Sequence, residues 1–377
     1  MRIGFDAKRL YCNFTGLGNY SRSLLKNLGE FYSDNEYYLY TPEVKHCPET
    51  NFFLENSAYQ TYIAGGLLKS FWRSYSIVDQ LKKDNIQLYH GLSHELPINI
   101  HKTNIRSIVS IHDLIFKVYP NTYRAFDRSI YDLKFKYSCN HADRIIAISK
   151  STKDDIINYY NINPDKIDVV YQSCNPLYYK AQDTKKANAV LQQYKIPNEY
   201  LLSVGSVEER KNLKVIIKAY QGLPSDLRIP LVIVGRGNQY KNEVKELIKV
   251  NGIEKLVLWI DYLGNNQDLQ AIYQNARALI YPSFYEGFGL PVVEALLSKT
   301  PVITSNTSSL PEAGGSDSIY IDPNNADELA AAIQKVLTDS RLRENMMDKG
   351  YLYAMENFAA EIVTRQMVES YNKTLLK

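Results

Sequence analysis

The sequence predicts an α/β protein made of two doubly wound, parallel-sheet domains. Three observations predict this. Short, continuous apolar runs alternate with stretches of helical period along the chain, as expected of strands covered on both faces. The 377 residues exceed what one hydrophobic core comfortably serves. A polar stretch, QSCNPLYYKAQDTKKANAVLQQYKIPNE at 172–199, lacks a strand signal and separates two such alternating series. The expected domains are 1–175 and 200–356, with a linker at 176–199. A C-terminal helix within 357–377 is expected to pack back toward the first domain.

In the first series, strands are predicted at 3–6, 37–41, 86–90, 107–111, 144–148 and 167–171. Helical periodicity fills the gaps near 19–31, 72–83, 130–141 and 150–160. In the second, strands are predicted at 200–204, 231–234, 256–259, 278–281, 302–304 and 319–321. Helices fall near 211–221, 239–251, 267–275, 290–298, 326–338 and 341–356. Doubly wound domains bind ligands at the carboxyl ends of their strands, so a cleft between those ends is the expected binding place.

Composition narrows the function classes. Hydrophobic residues make up 45% and charged residues 23%, ordinary for a soluble protein. A net charge of +3 suits an anionic substrate or membrane surface and falls far short of a nucleic-acid binder. Cys12, Cys47, Cys139 and Cys174 show no CxxC spacing, and a reduced, cytoplasmic protein is expected. The chain opens on RIGFDA without a signal-peptide pattern, and no apolar stretch approaches the ~20 residues of a membrane span. Any membrane contact is therefore expected to be peripheral, at the inner face of the cytoplasmic membrane. LLKSFWRSY at 67–75 mixes basic and aromatic residues; it fits either an interfacial segment or an amphipathic helix whose Trp72 enters the core. The 31 tyrosines carry no function as a group.

The segment FYEGFGLPVVE, 284–294, carries the chemistry. It follows a predicted strand, and Pro291 marks the start of the next helix. Gly287 and Gly289 then lie in the strand-to-helix loop, where glycine lets the backbone approach a ligand. The unpaired N–H groups of the first helical turn form an anion site, and a phosphate belongs there. Carboxylates accept hydrogen bonds from vicinal diols. Glu286 and Glu294 flanking one phosphate site suggest two polyols joined through phosphate, that is, a sugar nucleotide. Glu294 would take the ribose and Glu286 the transferred sugar. Spacing alone also fits a loop glutamate plus a solvated helix glutamate.

The segment resembles the E-x7-E motif of the retaining GT-B glycosyltransferases of family 4, glycosyl transferases group 1. The resemblance covers nearly the whole chain: TGLGNYSRSL (15–24), SIHDL (110–114), RIIAISKST (144–152), SVGSVEERKNL (203–213), VIVGRG (232–237), TPVIT and SSLPEAGG (308–315) fall in the family's order. It implies a GT-B fold, two Rossmann-like domains facing across a cleft. By the resemblance, Glu286 contacts the donor sugar, and Gly287, Phe288, Gly289 and Leu290 hold sugar hydroxyls and diphosphate through the backbone. Glu294 binds ribose, and Lys211 with Arg210 neutralises the diphosphate. The chain departs from the family where many members carry Gly-Arg: here the pair is Gly205-Ser206, which puts more load on Arg210.

The resemblance also implies that the loop with Gly16 and Gly18 closes over the diphosphate and the acceptor. GLGNYS only superficially matches a dinucleotide fingerprint, because its glycines stand well beyond the strand. His112 matches a family histidine near the transferred sugar, placed to bond a hydroxyl or support developing positive charge. Asp113 fits a turn cap. His94 and Glu95, within HGLSHELP, are candidates for acceptor contacts. No DxD pair or His/Cys cluster has metal spacing, and catalysis without metal or cofactor is expected. No second carboxylate is placed as a nucleophile for a double displacement. The resemblance implies retention through front-face attack, with the departing phosphate taking the acceptor proton. Expected partners are a nucleotide-sugar donor and a glycan or lipid-linked acceptor. Similarity to bacterial surface-polysaccharide and O-antigen mannosyltransferases makes GDP-mannose the first donor, with a UDP-hexose as alternative. A sugar-nucleotide epimerase, an exported sugar receptor and a non-catalytic scaffold fit the motifs less well.

Overall fold

The computed structural model describes residues 1–65, 71–120 and 123–376. Contacts divide the chain into two units: Met1–Ser173 with Ala360–Lys377, and Cys174–Ala359. In the first, strands β1 (Arg2–Asp6), β2 (Glu36–Thr41), β3 (Tyr59–Ile63), β4 (Leu88–Gly91), β5 (Arg106–Ile111), β6 (Arg144–Ala147) and β7 (Ile167–Val169) form a sheet. Its order is β3-β2-β1-β4-β5-β6-β7, and every pair is parallel. Neighbouring residues on a strand serve opposite faces. Leu88, Ile108 and Ile146 pack with Leu24, Leu25 and Leu28 of the Gly16–Phe31 helix. Tyr89, Val109 and Ile145 pack on the other face with Ile77, Leu81, Phe135 and Ile156. Both faces are thus apolar and covered, which is why these strands read as continuous runs.

Several elements differ from the sequence expectation. β3 was not expected: it is an edge strand with Gln60, Tyr62 and Ile63 half-buried or exposed, so it shows no continuous apolar run. β4 starts at Leu88, because the Ile86 N–H bonds the Leu81 carbonyl and closes the preceding Ile77–Lys83 helix. Residues 67–70 of the aromatic-basic segment lie outside the described residues. Its remainder forms a π-helical turn, Trp72–Ser76, leading into that helix. Trp72 is half-buried, stacked on Tyr62 at 5.6 Å and packed against the core, whereas Phe71 and Tyr75 are exposed. The C-terminal helix, Ala360–Leu375, belongs to the first unit and packs on the Gly16–Phe31 helix and β5 through Val363, Met367 and Tyr371.

In the second unit, β8 (Leu201–Val204), β9 (Leu231–Val234), β10 (Val257–Ile260), β11 (Ala278–Tyr281), β12 (Val302–Ser305) and β13 (Ile319–Ile321) form a parallel sheet ordered β10-β9-β8-β11-β12-β13. One face packs Leu201, Leu231, Ile233, Ile280 and Ile303 against Ile216, Tyr220, Leu329 and Ile333. The segment 176–199, expected as the linker, lies within the second unit. It holds a 3-10 turn, Pro176–Tyr179, and a helix, Thr184–Gln193, capped by Asp183 accepting from the Lys186 N–H. The helix packs on Asn266–Asn275, burying Ala187 and Leu191, and Gln270 Nε2 donates to the Leu177 and Lys180 carbonyls. A short amphipathic helix with two buried apolar residues looks polar in sequence, so the segment gives only a weak helical signal.

The β8 and β9 ends approach backbone to backbone. A Cβ on Gly235 would stand 1.8 Å from the Gly205 carbonyl oxygen, whereas one on Gly16 would meet nothing within 4 Å. Gly235→Ala is therefore expected to destabilise the fold by about 2–4 kcal/mol. Gly16→Ala is expected to leave stability unchanged within about 1 kcal/mol. Denaturant unfolding of the two variants checks both.

Candidate active site

In the second unit the sequence-predicted donor residues converge beyond the carboxyl ends of β8 and β11. After β8 the chain turns through Gly205, at φ 137°, and reaches a 3-10 turn, Glu209–Lys211. Asn212 ends that turn at φ 57°, a left-handed conformation that asparagine tolerates. Its buried amide donates to the Pro282 carbonyl (3.2 Å) and the Pro323 carbonyl (2.7 Å). The Phe284 N–H donates to the Arg210 carbonyl at 2.9 Å. These bonds fix the Arg210-Lys211 pair against the loop that follows β11.

Glu286 lies in that loop and is only 7% exposed. Its Oε1 is 2.6 Å from Lys211 Nζ, and its Oε2 is 2.9 Å from Arg210 Nη1. Tyr281 Oη donates to Oε1 at 3.1 Å, and Lys211 also bonds Tyr281 Oη. Arg210 completes its fork on Glu208 Oε1 (2.6 Å) and the Tyr285 carbonyl. Burial alone would raise the Glu286 carboxyl, but Lys211 and Arg210 outweigh it and hold it at about 2. Burial lowers the Lys211 ammonium, Glu286 opposes that shift, and Arg210 adds to it; the net is downward. Arg210 is lowered by burial and raised more strongly by Glu286 and Glu208.

The loop backbone is held from the segment after β12. The Glu286 N–H donates to Ser308 Oγ at 3.0 Å, with Ser308 itself at φ 52°. Ser309 Oγ bonds the Glu286 and Phe288 carbonyls, both at 2.9 Å. Phe288 is buried with its ring edge-on to Phe358, 5.3 Å between centroids. Gly289 caps the Leu290–Leu297 helix at φ 109°, and a Cβ there would be 3.0 Å from Leu310 Cδ2. Gly287 is not among the positive-φ glycines. Leu290 opens the helix and Pro291 follows as its second residue, so the first-turn N–H groups face the loop.

Glu294 lies one turn further along. Neither glutamate is a solvated surface group: Glu294 is half-buried and accepts from Tyr273 Oη at 3.0 Å. Burial pushes its carboxyl up to about 7, with the Tyr273 bond offsetting only part. Tyr178 stands edge-on to Tyr273, 5.8 Å between centroids.

The first-unit candidates gather at the carboxyl ends of β1, β4 and β5. Gly16 starts the Gly16–Phe31 helix, whose first turn is tied down by Asn13 Oδ1 accepting from the Thr15 and Gly18 N–H groups. A Cβ on Gly18 would sit 1.7 Å from the Asn13 carbonyl oxygen. His112 is buried, with Nε2 bonded to the Leu92 carbonyl at 2.8 Å and Tyr20 edge-on to its ring at 4.6 Å. That bond makes Nε2 the protonated nitrogen and leaves Nδ1 as an acceptor. Burial holds His112 down near 4, so it is a neutral hydrogen-bond acceptor at physiological pH. His94, at φ 66°, stacks on Phe135 at 4.2 Å, and its Nδ1 accepts from the His112 N–H at 3.4 Å. Glu95 is held by Arg73 at 2.8 Å and Lys134 at 3.3 Å, and Arg73 also grips buried Asp6 at 2.6 Å. Asp113 accepts from the Ile115 N–H, capping the turn. Among the described residues, no group of three or more His, Cys, Asp or Glu side chains is arranged to hold a metal ion.

Several site residues carried no role in the sequence reading. Asn212 and the Ser308-Ser309 pair lie inside matched motifs, and their left-handed or hydroxyl chemistry was the available signal. Tyr281 read only as the end of a buried strand, and Tyr273 only as a position within a predicted helix.

Comparison with known proteins identifies the family. The family model described as Glycosyl transferases group 1 matches residues 189–353, and that described as Glycosyltransferase Family 4 matches residues 14–176. The O-antigen chain mannosyltransferase B of Escherichia coli is 30% identical over 98% of this chain and 99% of its own. Among solved structures, a glycosyltransferase from Rickettsia africae superposes with TM-score 0.77 at 18% identity, covering 99% of this chain and 98% of that one. Anabaena HepE in complex with UDP-glucose gives TM-score 0.77 at 16% identity, covering 99% and 100%. These two show the GT-B fold. With both halves matched by their models and a full-length relative at 30% identity, the chain belongs to glycosyltransferase family 4 and is a glycosyltransferase.

Proposed function

We propose that the protein transfers mannose from GDP-mannose, with retention, to a glycan or lipid-linked glycan in surface polysaccharide synthesis. The observation that carries this is the grouping of Lys211, Arg210 and Glu286 beside the glycine-capped helix that bears Glu294. Such a site offers charge for a diphosphate and one acceptor carboxylate for each flanking polyol. Mannose rests on the full-length relative, an O-antigen chain mannosyltransferase.

In the proposed reaction the sugar C1–O bond to the diphosphate breaks. The acceptor oxygen bonds C1 on the same face, and its proton passes to the departing phosphate oxygen. Lys211, Arg210 and the helix N-terminus stabilise the charge that builds on the leaving group, with no metal ion. Gly16 and Gly18 close over the diphosphate, His112 Nδ1 accepts from a sugar hydroxyl, and His94 and Glu95 border the acceptor. Glu95 acts through its ion pairs more than as a free contact.

The reading is tested by thermal stabilisation with GDP, GDP-mannose, UDP and UDP-glucose in EDTA. Selective shifts with the guanosine pair are expected. Selective shifts with the uridine pair would replace GDP-mannose by a UDP-hexose, and no shift would overturn the donor site.

Glu294 makes nucleotide binding pH-dependent. Its folded-state value, about 7, lies above its ordinary 4.5. Its contribution to stability is therefore complete below about 4.5 and is lost as pH rises through about 7. Ribose hydroxyls donate best to the ionised form, so nucleotide affinity is expected to rise roughly fivefold between pH 6 and 8. Glu294→Gln removes both trends; titrating the preferred nucleotide and the melting temperature against pH checks them together.

We propose that the protein works at the inner face of the cytoplasmic membrane. Among the described residues no helix is long and apolar enough to cross a membrane. On the Ala125–His141 helix, Phe126 is 76% and Leu133 74% exposed, two turns apart on one face, with exposed Lys136 one turn beyond Leu133. Exposed Ile98 joins this face to exposed Phe71 and Tyr75: its N–H donates to the Ser74 carbonyl and its carbonyl accepts from Tyr137. Exposed apolar side chains beside a cation suit an anionic lipid surface. Co-sedimentation with phosphatidylglycerol-containing vesicles is expected for the wild type and lost in F126D/L133D, with nucleotide binding unchanged. A wild type that stays in the supernatant would overturn the membrane contact.

A further inference from the structure

Glu286 occupies the cations that the donor diphosphate needs. Lys211 Nζ spends its short contacts on Glu286 Oε1 and Tyr281 Oη. Arg210 spends its fork on Glu286, Glu208 and the Tyr285 carbonyl. Two cations thus face two carboxylates, Glu286 and Glu208, and the cluster is close to neutral. A phosphate entering a near-neutral cluster gains little attraction, and it must replace Glu286 in the short contacts of Lys211 and Arg210. The loop backbone, in contrast, is fixed by Ser308 and Ser309, so only the side chain is free to yield.

We propose that Glu286 is an internal competitor of the donor diphosphate. It holds Lys211 and Arg210 before the donor enters, and leaves them when hydroxyls of the transferred sugar offer it hydrogen bonds. Once that sugar has gone to the acceptor, it returns to the cations and helps expel the nucleoside diphosphate. This rests on the donor-site reading above and deepens it. A nucleotide sugar supplies a replacement partner for the carboxylate; a nucleoside diphosphate does not. The same carboxylate therefore makes the site favour substrate over product.

The test is calorimetric binding of GDP and UDP to the full chain as wild type, Glu286→Gln, Glu286→Ala and Lys211→Met, with unfolding measured on each. A glutamate that only touches the sugar would leave diphosphate affinity unchanged, because these ligands carry no transferred sugar. Competition predicts the opposite. Both Glu286 variants should bind the preferred diphosphate about tenfold tighter than wild type, as a like charge is removed from beside the phosphate. Product inhibition should deepen while kcat falls. Lys211→Met should lose the diphosphate. If the wild type binds a diphosphate and neither Glu286 variant binds it more tightly, the competition is overturned and the donor site stands. If the wild type binds neither diphosphate, the donor site fails and the competition with it.

Discussion

The second unit is organised around one buried charge arrangement, a carboxylate between two cations. Taking charges out of water is costly, and a buried pair survives only when geometry and further hydrogen bonds offset that cost. Here the offsets are explicit: Tyr281 bonds the carboxylate, Glu208 and a backbone carbonyl complete the guanidinium, and Asn212 fixes the turn that presents both cations. The sheet order explains why they can meet. β8 and β11 are neighbours at the point where the strand order reverses, so the loops after them emerge side by side. Residues some 75 positions apart thus form a cluster within hydrogen-bond reach.

The first unit solves a similar problem without net charge. His90, fully buried, bonds Tyr371 Oη of the C-terminal helix at 2.9 Å and Ser110 Oγ at 2.8 Å. Ser110 Oγ meets Tyr20 Oη at 2.9 Å, and Tyr20 packs edge-on against His112. Burial holds His90 near 3, so the chain of bonds is neutral throughout. A helix at the far end of the sequence is in this way part of the framework behind His112. The Ser110 carbonyl also accepts from the His94 N–H, which helps hold that residue in its left-handed conformation.

What sequence could reveal follows from which signals are local. The inner strands were legible because both faces are covered and their runs are uniformly apolar. β3 was not, since an edge strand needs no such run. The glutamate, glycine and Arg-Lys positions were legible because family motifs preserve their spacing. Their environment was not. Nothing in FYEGFGLPVVE shows that Glu286 meets both cations or that Tyr273 reaches Glu294, because those partners arrive from a turn and a helix elsewhere in the chain. The helix within 176–199 was hidden for a related reason: its polarity is local, but the helix that receives Ala187 and Leu191, Asn266–Asn275, comes much later in the chain.

Glu286 and Glu294 show how little residue type alone decides. Both are withdrawn from solvent, and burial pushes both carboxyls upward. Glu286 has two cations within 3 Å and stays ionised. Glu294 has a tyrosine hydroxyl and titrates near neutrality. The difference matches the neighbours each would have on a bound nucleotide sugar. A carboxylate that shares its cations with a diphosphate needs a replacement partner, the sugar hydroxyls, before it can release them. One beside a ribose meets only hydroxyls and needs no counter-ion. The same spacing of two glutamates thus supplies one group whose charge is fixed and one whose charge follows pH. The short loop capped by Gly289 lets a single helix start carry both.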